Sequence, residues 1–335
     1  MKIATPAPHV LPGPPPPFDP ECAAVLAHLP AFPALNLETI AAIRQPPPGF
    51  EPPSDEELTR DGAFTLEERF APGRDGAPHV PLLVCRPTAA DGPRPVIYFI
   101  HGGGMISGDR RQGLPQILDC AKVLGLTVVS VEYRLAPETP YPGPVEDCYW
   151  GLQWTADHAD DLGIDSTQIV VAGESAGGGL AAAMAFLSRD RGGPATIGLL
   201  LMAPMLDDRN DSPSAVQMAG TDTWDRSRNE FGWSALLGTA RGGPDVSEYA
   251  APARATNFGG LPPVFLDVGS AETFRDEVVN FASSIWRAGG RAELHVWPGG
   301  FHGYNAMVPE AAISRETHEA RARWLERNAG LTGNR

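Results

Sequence analysis

Short apolar runs, rich in β-branched residues, recur along the chain from residue 64 onward. Six of them have the length and composition of strands buried on both faces of a sheet. They lie at 95–100, 127–133, 169–172, 197–202, 263–268 and 292–297. Two further runs, 64–70 and 80–86, flank a turn-forming stretch of Pro, Gly and Asp and predict an antiparallel pair. The pattern as a whole predicts an eight-stranded, mostly parallel sheet.

Amphipathic segments fill most of the intervals between these strands. We predict helices at 112–124, 145–158, 175–188, 273–288 and 311–328. Strands and helices that alternate in this way favour a parallel sheet with helices on both faces.

Two regions depart from the alternation. Residues 1–60 contain two short apolar-periodic stretches, 21–29 and 35–43, separated by prolines and read as short helices. Residues 207–260 are polar and rich in Trp, Asn and Ser. We predict that 61–206 and 261–335 form the core, and that 1–60 and 207–260 are the two parts of a helical cap.

Composition and charge exclude several classes of protein. The chain is 42% apolar and 20% charged, and no apolar run reaches the roughly 18 residues of a membrane span. Its 26 Lys and Arg against 41 Asp and Glu give a net charge of −15, which repels the phosphate backbone of nucleic acids. We therefore expect neither nucleic acid nor a membrane as partner.

The N-terminus and the cysteines indicate the cellular compartment of the protein. The Pro-rich N-terminus lacks the unbroken apolar core of an export signal. The four cysteines, Cys22, Cys85, Cys120 and Cys148, are widely spaced without a CxxC pair, which favours buried free thiols. We expect a cytoplasmic protein.

The sharpest motif is Gly173-Glu-Ser-Ala-Gly177, which fits G-x-S-x-G between a predicted strand and a predicted helix. A tight turn there forces the central Ser175 into a strained conformation and presents its hydroxyl at the carboxyl edge of the sheet. The alternative is that Ser175 only caps a helix. The context favours a nucleophile.

Two further elements complete a candidate site. His101-Gly-Gly-Gly104 follows the strand 95–100, and its glycines let backbone N–H groups approach a developing oxyanion. His302 lies in the glycine-flanked loop after the last strand, where an imidazole can act as general base. His101 is expected to brace its own loop.

An acid that orients the base should follow the penultimate strand. The candidates are Asp267, Glu272, Asp276 and Glu277. Asp267 lies inside the strand, and the last two belong to the next helix, so position favours Glu272 and leaves Asp276 as the alternative.

With these residues in hand, the chain closely resembles the bacterial hormone-sensitive lipase family of esterases, within the α/β-hydrolase superfamily. The resemblance rests on His101-Gly-Gly-Gly104, Glu132-Tyr-Arg-Leu-Ala-Pro-Glu138, Gly173-Glu-Ser-Ala-Gly-Gly178, Arg275-Asp-Glu277 and Phe301-His-Gly303. It implies an α/β-hydrolase fold and an oxyanion hole made by Gly103, Gly104 and Ala176. It also aligns Glu272 with the family's triad aspartate, so a glutamate stands at that position.

The resemblance implies a carboxylesterase with a Ser175–His302–Glu272 triad, acting on short- to medium-chain acyl esters without a metal or organic cofactor. Relatives include dimers, so a homodimer is possible. Two alternatives stay open. One is a catalytically silent small-molecule receptor of the same fold, as in plant gibberellin receptors, although those lack the catalytic histidine that this chain retains. The other is a hydrolase of an amide, carbamate or lactone.

Four large apolar side chains either line the pocket or pack in the core: Trp224, Phe231, Trp233 and Met105.

Overall fold

The computed structural model describes residues 12–29, 34–45, 51–74, 76–89 and 92–329. Within these ranges, eight strands form one sheet in the order β1-β2-β4-β3-β5-β6-β7-β8. Their bounds are β1 Phe64–Ala71, β2 Val80–Pro87, β3 Arg94–Ile100, β4 Thr127–Val131, β5 Ile164–Glu174, β6 Gly198–Met202, β7 Val264–Gly269 and β8 Ala292–Trp297.

The directions of the strands match the sequence pattern. β2 runs antiparallel to both β1 and β4, and the remaining neighbours are parallel. The predicted eight-stranded, mostly parallel sheet of an α/β hydrolase is therefore confirmed. The carboxyl ends of β3, β5, β7 and β8 lie at one edge, where the loops that follow them can meet.

Helices cover both faces of the sheet. Their bounds are α1 Pro20–Leu26, α2 Ile40–Ile43, α3 Asp55–Thr59, α4 Leu114–Leu124, α5 Gly143–Asp157, α6 Ala159–Leu162, α7 Ala176–Arg191, α8 Pro213–Gln217, α9 Arg226–Leu237, α10 Arg275–Arg287, α11 Tyr304–Met307 and α12 Ala312–Asn328. Two 3₁₀ turns occupy Gly238–Ala240 and Pro252–Arg254. None of the helices in the described ranges combines the length and apolarity needed to cross a bilayer.

One predicted helix is wrong over most of its length. The helix expected at 35–43 is reduced to α2, and residues 37–39 before it form a turn in which the side chain of Asn36 accepts the backbone N–H groups of Glu38 and Thr39 at 2.8 and 2.9 Å. Asn36 thus acts as a cap of this turn, and the residues before it are excluded from the helix. The helix expected at 21–29 also ends early, at Leu26.

The central strands bury both faces, as continuous apolar runs require. On β3, Val96, Tyr98 and Ile100 point into one apolar layer, and Ile97 and Phe99 point into the other. All five side chains are at most 1% exposed. The sheet is therefore a rigid platform for the loops at its carboxyl edge.

The four cysteines are free. Cys22, Cys85 and Cys148 are buried, whereas Cys120 on α4 is only half-buried. Burial raises the pKa of Cys85 to about 12, which keeps this thiol protonated and unreactive.

A buried ion pair joins the sheet to the last helix. Asp267 on β7 is 1% exposed and accepts two hydrogen bonds from Arg321 on α12, at 2.6 and 2.9 Å. Arg321 is itself 5% exposed. Removing one partner of such a pair leaves a buried charge uncompensated.

We expect Arg321→Ala to lower the free energy of unfolding by about 3–5 kcal/mol, because Asp267 would lose its counter-charge in the interior. Urea denaturation measures the change. Arg323→Ala on the same helix is the matched control, since the Arg323 side chain is 63% exposed and pairs loosely with Glu319. Equal destabilisation by the two variants would contradict this role for the pair.

Candidate active site

Ser175 occupies the sharp turn between β5 and α7. Its backbone has φ +55° and ψ −118°, a region that L-residues rarely adopt. Backbone hydrogen bonds hold the turn: the N–H of Ser175 donates to Met202 at 2.8 Å, and its carbonyl accepts from Gly179 and Met205 at 3.1 and 2.9 Å. The Ser175 side chain makes no capping bond to α7. The helix-cap alternative is therefore not what the structure shows.

The glycines of the motif are required by close packing. A Cβ at Gly173 would lie 2.2 Å from the carbonyl oxygen of Gly177, and a Cβ at Gly177 would lie 2.1 Å from that of Ile100. Both distances are far below van der Waals contact. A side chain at Gly173 would push the end of β5 away from the start of α7, and one at Gly177 would push α7 away from the end of β3.

His302 lies beside Ser175. The loop after β8 carries it, and its Nε2 is 2.9 Å from the Oγ of Ser175. The ring packs edge-on against Phe274, with 5.0 Å between the ring centroids. Only 12% of the His302 side chain is exposed, so water has little access to the contact.

Glu272 lies on the opposite side of the same imidazole. Its Oε1 is 3.1 Å from Nδ1 of His302, and its Oε2 accepts the backbone N–H of Gly269 at 2.8 Å. The Glu272 side chain is 1% exposed. Both carboxylate oxygens are thereby engaged, which fixes the direction in which the acid faces the ring.

The other acids considered from the sequence have different partners. Asp267 pairs with Arg321, as described above. Asp276 accepts the backbone N–H of Ser214 at 2.8 Å, and Glu277 accepts that of Leu206 at 2.7 Å. Among the described residues, the carboxylate hydrogen-bonded to the His302 ring is that of Glu272.

Charge around His302 shifts its pKa. Burial by itself lowers the pKa of the imidazole, but the hydrogen bond and the negative charge of Glu272, together with the charges of Asp222 and Glu174, raise it above the ordinary value. A ring with a raised pKa is a stronger base for the proton of a serine hydroxyl.

The glycine loop after β3 borders Ser175. A Cβ at Gly102 would lie 3.4 Å from the Cβ of Ser175, so the two segments are in contact. Gly103 and Gly104 have φ values of +103° and +62°, which favour glycine. Ala176 begins α7 directly after the serine. Backbone N–H groups of Gly103, Gly104 and Ala176 are thus contributed by segments that border the Ser175 hydroxyl.

Tyr133 and His101 brace this loop from below. Their rings stack with centroids 4.2 Å apart, and the Tyr133 hydroxyl donates to the carbonyls of His101 and Gly102 at 3.0 and 3.2 Å. Burial lowers the pKa of His101, which keeps its ring neutral. His101 therefore occupies the bracing place expected from the sequence.

A pocket of about 280 Å³ opens onto these groups. Ser175, His302 and the three glycines line one side, and Trp224, Arg228 and Met307 are among the residues that line the rest. The Trp224 ring packs directly over Gly104. Met105 and Trp233, by contrast, are buried in the core. In the described part of the chain, no group of three or more His, Cys, Asp or Glu side chains is placed to hold a metal ion.

Sequence reasoning missed Asp222 and Thr223. Asp222 accepts the backbone N–H of His302 at 3.0 Å, and Thr223 donates to the His302 carbonyl at 2.5 Å. They come from the polar segment 207–260, which carries no motif. The only signal in the sequence was an acid in a stretch otherwise unexplained.

The geometry predicts an activated serine. We expect a fluorophosphonate probe to attach once to the protein through Ser175, because His302 can remove the hydroxyl proton as the phosphorus is attacked. Intact-mass spectrometry measures the adduct. Ser175→Ala should abolish labelling. Ser188→Ala, which alters a buried serine within α7, should leave labelling unchanged. Labelling that persists in Ser175→Ala would contradict the assignment.

Comparison with known proteins adds the family. Residues 97–306 match the alpha/beta hydrolase fold family. The carboxylesterase NlhH of Mycobacterium tuberculosis is 36% identical over 256 residues, which cover 74% of this chain and 78% of that protein. Hormone-sensitive lipase of Mus musculus is 37% identical over 102 residues, or 30% of this chain and 13% of the lipase. A bacterial heroin esterase structure superimposes with a TM-score of 0.83 at 36% identity, covering 93% of this chain and 98% of that one. The chain therefore belongs to the α/β-hydrolase family, in its hormone-sensitive lipase group, and is an enzyme of the carboxylesterase class.

Proposed function

We propose that this enzyme hydrolyses short- to medium-chain acyl esters through a Ser175–His302–Glu272 triad and an acyl-enzyme intermediate. The observation that carries the proposal is the continuous contact from the Ser175 hydroxyl through both nitrogens of His302 to Glu272, at 2.9 and 3.1 Å. A nucleophile, a base and an orienting acid in this order are the parts that acyl transfer needs.

Acylation begins when Nε2 of His302 takes the proton of Ser175 as the serine oxygen attacks the ester carbonyl carbon. The carbonyl oxygen becomes an oxyanion, which the N–H groups of Gly103, Gly104 and Ala176 stabilise. Glu272 holds the Nδ1 proton and stabilises the imidazolium that forms. When the tetrahedral species collapses, His302 returns its proton to the leaving alcohol, and the acyl group stays on Ser175.

Deacylation repeats these steps with water. His302 takes a proton from the water molecule, whose oxygen attacks the acyl carbonyl, and then returns that proton to the Ser175 oxygen as the carboxylic acid leaves. No step requires a metal or an organic cofactor. The same groups can attack an amide, carbamate or lactone. The shape of the pocket therefore decides which of these substrates reacts fastest.

The pocket favours small substrates. Its volume of about 280 Å³ and the Trp224 ring over Gly104 leave limited room beside the reacting carbon. A neighbouring cavity of about 680 Å³ shares Thr223 and Arg228 with it and can take a larger group of a medium-sized ester. We therefore propose that short- to medium-length acyl chains react best.

We further propose that 1–60 and 207–260 are the two parts of a cap over a core of 61–206 and 261–335. The larger cavity supports this division, because its lining residues lie within 18–29, at Ala34 and within 220–228. Residues 1–11, 30–33 and 46–50 of the first part lie outside the described residues.

We also propose that the protein is cytoplasmic and forms a homodimer. Four free thiols suit a reducing compartment. A small ester is the proposed partner of the site.

A p-nitrophenyl acyl series from acetate to palmitate tests the proposal. We expect turnover of the shorter esters and a steep fall towards palmitate. Ser175→Ala should lower kcat by roughly 10⁶-fold, since it removes the nucleophile. Glu272→Gln should lower it by on the order of 10⁴-fold, since an amide favours the wrong tautomer of His302.

Asp276→Asn is the matched control for Glu272→Gln. The Asp276 carboxylate contacts Ser214 and Arg275 and not His302, so its loss should cost far less. A larger defect in Asp276→Asn than in Glu272→Gln would mean that the acid is misassigned. No turnover of any ester by the folded wild type would contradict the proposed function.

We expect kcat/KM to fall as the pH drops through the pKa of His302, because a protonated ring cannot accept the serine proton. Since Glu272 and its neighbours raise that pKa, the midpoint should lie above the ordinary imidazole value of about 6.5. Glu272→Gln removes a negative charge and should move the midpoint to lower pH. A wild-type midpoint at or below the ordinary value would contradict this electrostatic account.

A further inference from the structure

A second buried carboxylate lies against the triad. Asp222 is 9% exposed and belongs to the segment between α8 and α9, remote in sequence from both Glu272 and His302. One of its oxygens accepts the backbone N–H of His302 at 3.0 Å, and the other accepts the backbone N–H of Thr273 at 3.2 Å. The carboxylate therefore bridges the loop of the base and the loop of the acid.

The neighbours of Asp222 extend the same bridge. Thr223 donates its hydroxyl to the His302 carbonyl at 2.5 Å, and Trp224 accepts the hydroxyl of Thr273 at 2.7 Å. Both backbone groups of His302 are thus held by this segment. Two of its residues, Thr223 and Trp224, also line the substrate pocket.

We propose that Asp222 is a positioning residue for the reaction: its carboxylate holds the His302 loop and the Thr273 loop together, so that the imidazole keeps its alignment between Ser175 and Glu272. This inference rests on the proposed triad and adds to it a group that acts through His302. Misplacing a catalytic group by about 1 Å can lower the rate by on the order of 100-fold, so the loss of this bridge should be measurable in kcat.

A carboxylate suits this place better than an amide. Its two oxygens accept N–H groups from two different loops, and one of them also accepts the N–H of Thr223 at 2.7 Å. Asparagine would keep one acceptor and turn an NH₂ group towards one of these N–H donors. The bridge would then be broken on one side and a buried donor left without a partner.

The charge of Asp222 also acts on the base. The acids that raise the pKa of His302 come from three elements: Glu272 after β7, Asp222 before α9 and Glu174 at the end of β5. Burial raises the pKa of Asp222 itself to about 6, so its carboxylate is ionised at neutral pH. Removing this charge lowers the pKa of His302, an effect that a purely structural side chain would not have.

The test compares Asp222→Asn and Thr223→Val with wild type in hydrolysis of p-nitrophenyl butyrate. For Asp222→Asn we expect kcat to fall by about 100-fold, KM to stay within a few-fold, and the acid-limb midpoint of kcat/KM to move to lower pH. Thr223→Val loses one hydrogen bond to His302 and keeps the charge of Asp222. For this variant we expect kcat to fall by about tenfold and the acid-limb midpoint of kcat/KM to stay at the wild-type pH. Asp211→Asn is the matched control, because Asp211 is an exposed acid of the same polar segment that lines neither cavity.

Labelling of Ser175 by the fluorophosphonate probe gives a second readout that needs no ester. Its second-order rate should fall in Asp222→Asn and stay at the wild-type value in Asp211→Asn. If wild type hydrolyses the ester and both Asp222→Asn and Thr223→Val match it in kcat and midpoint, the inference is overturned and the proposed function stands. If wild type hydrolyses nothing, the proposed function fails, and the labelling rates still decide the role of Asp222. If Asp222→Asn does not fold, a wild-type kcat and labelling rate in Thr223→Val overturn the inference.

Discussion

One imidazole has to touch two partners on opposite edges, and the carboxyl edge of the sheet is arranged around that requirement. His302 contacts Ser175 through Nε2 and Glu272 through Nδ1, at 2.9 and 3.1 Å. The three residues follow β5, β7 and β8, which are parallel and therefore end at the same edge. Parallel pairing brings the loops near each other, and hydrogen bonds between loops supply the remaining precision.

The turn at Ser175 shows what this arrangement costs. A non-glycine residue held at positive φ is strained by about 1–3 kcal/mol. The strain persists because the backbone of Ser175 is bonded to Met202, Gly179 and Met205, and because Gly173 and Gly177 permit contacts that no Cβ would allow. The buried apolar layers on both faces of the sheet keep those contacts in place. Stability in the core thereby holds the backbone of Ser175, the proposed nucleophile, in an unfavourable conformation.

Much of this could be predicted from the sequence, because the fold and the motifs obey local rules. Buried parallel strands appear in the sequence as continuous apolar runs. The turn between β5 and α7 is recognised by the G-x-S-x-G spacing between an apolar run and a helical segment. Glu272 was favoured over Asp276 by its position after the penultimate strand and by the family resemblance, and in the structure it is Glu272 that contacts His302. The helix expected at 35–43 is shorter in the structure, because Asn36 caps the turn that precedes α2 and excludes the residues before it from the helix.

Asp222 could not have been found in that way. Its importance depends on a contact between segments 80 residues apart in the chain, and no local pattern records such a contact. The same holds for Tyr133, whose hydroxyl supports the glycine loop from a neighbouring strand end. Motifs identify the groups that react, whereas the groups that align them are identified only once the loops are seen together.

In the proposed triad, the neutral His302 ring carries its proton on Nδ1, towards Glu272, and presents a free Nε2 to Ser175. Proton and nitrogen NMR of the histidine-labelled protein, recorded at a pH above the acid-limb midpoint where the His302 ring is neutral, measures which nitrogen carries the proton. We predict a strongly downfield proton resonance attached to Nδ1 of His302 that is lost in Glu272→Gln and retained in Asp276→Asn. A His302 ring protonated on Nε2, or a resonance indifferent to Glu272→Gln, would contradict the account.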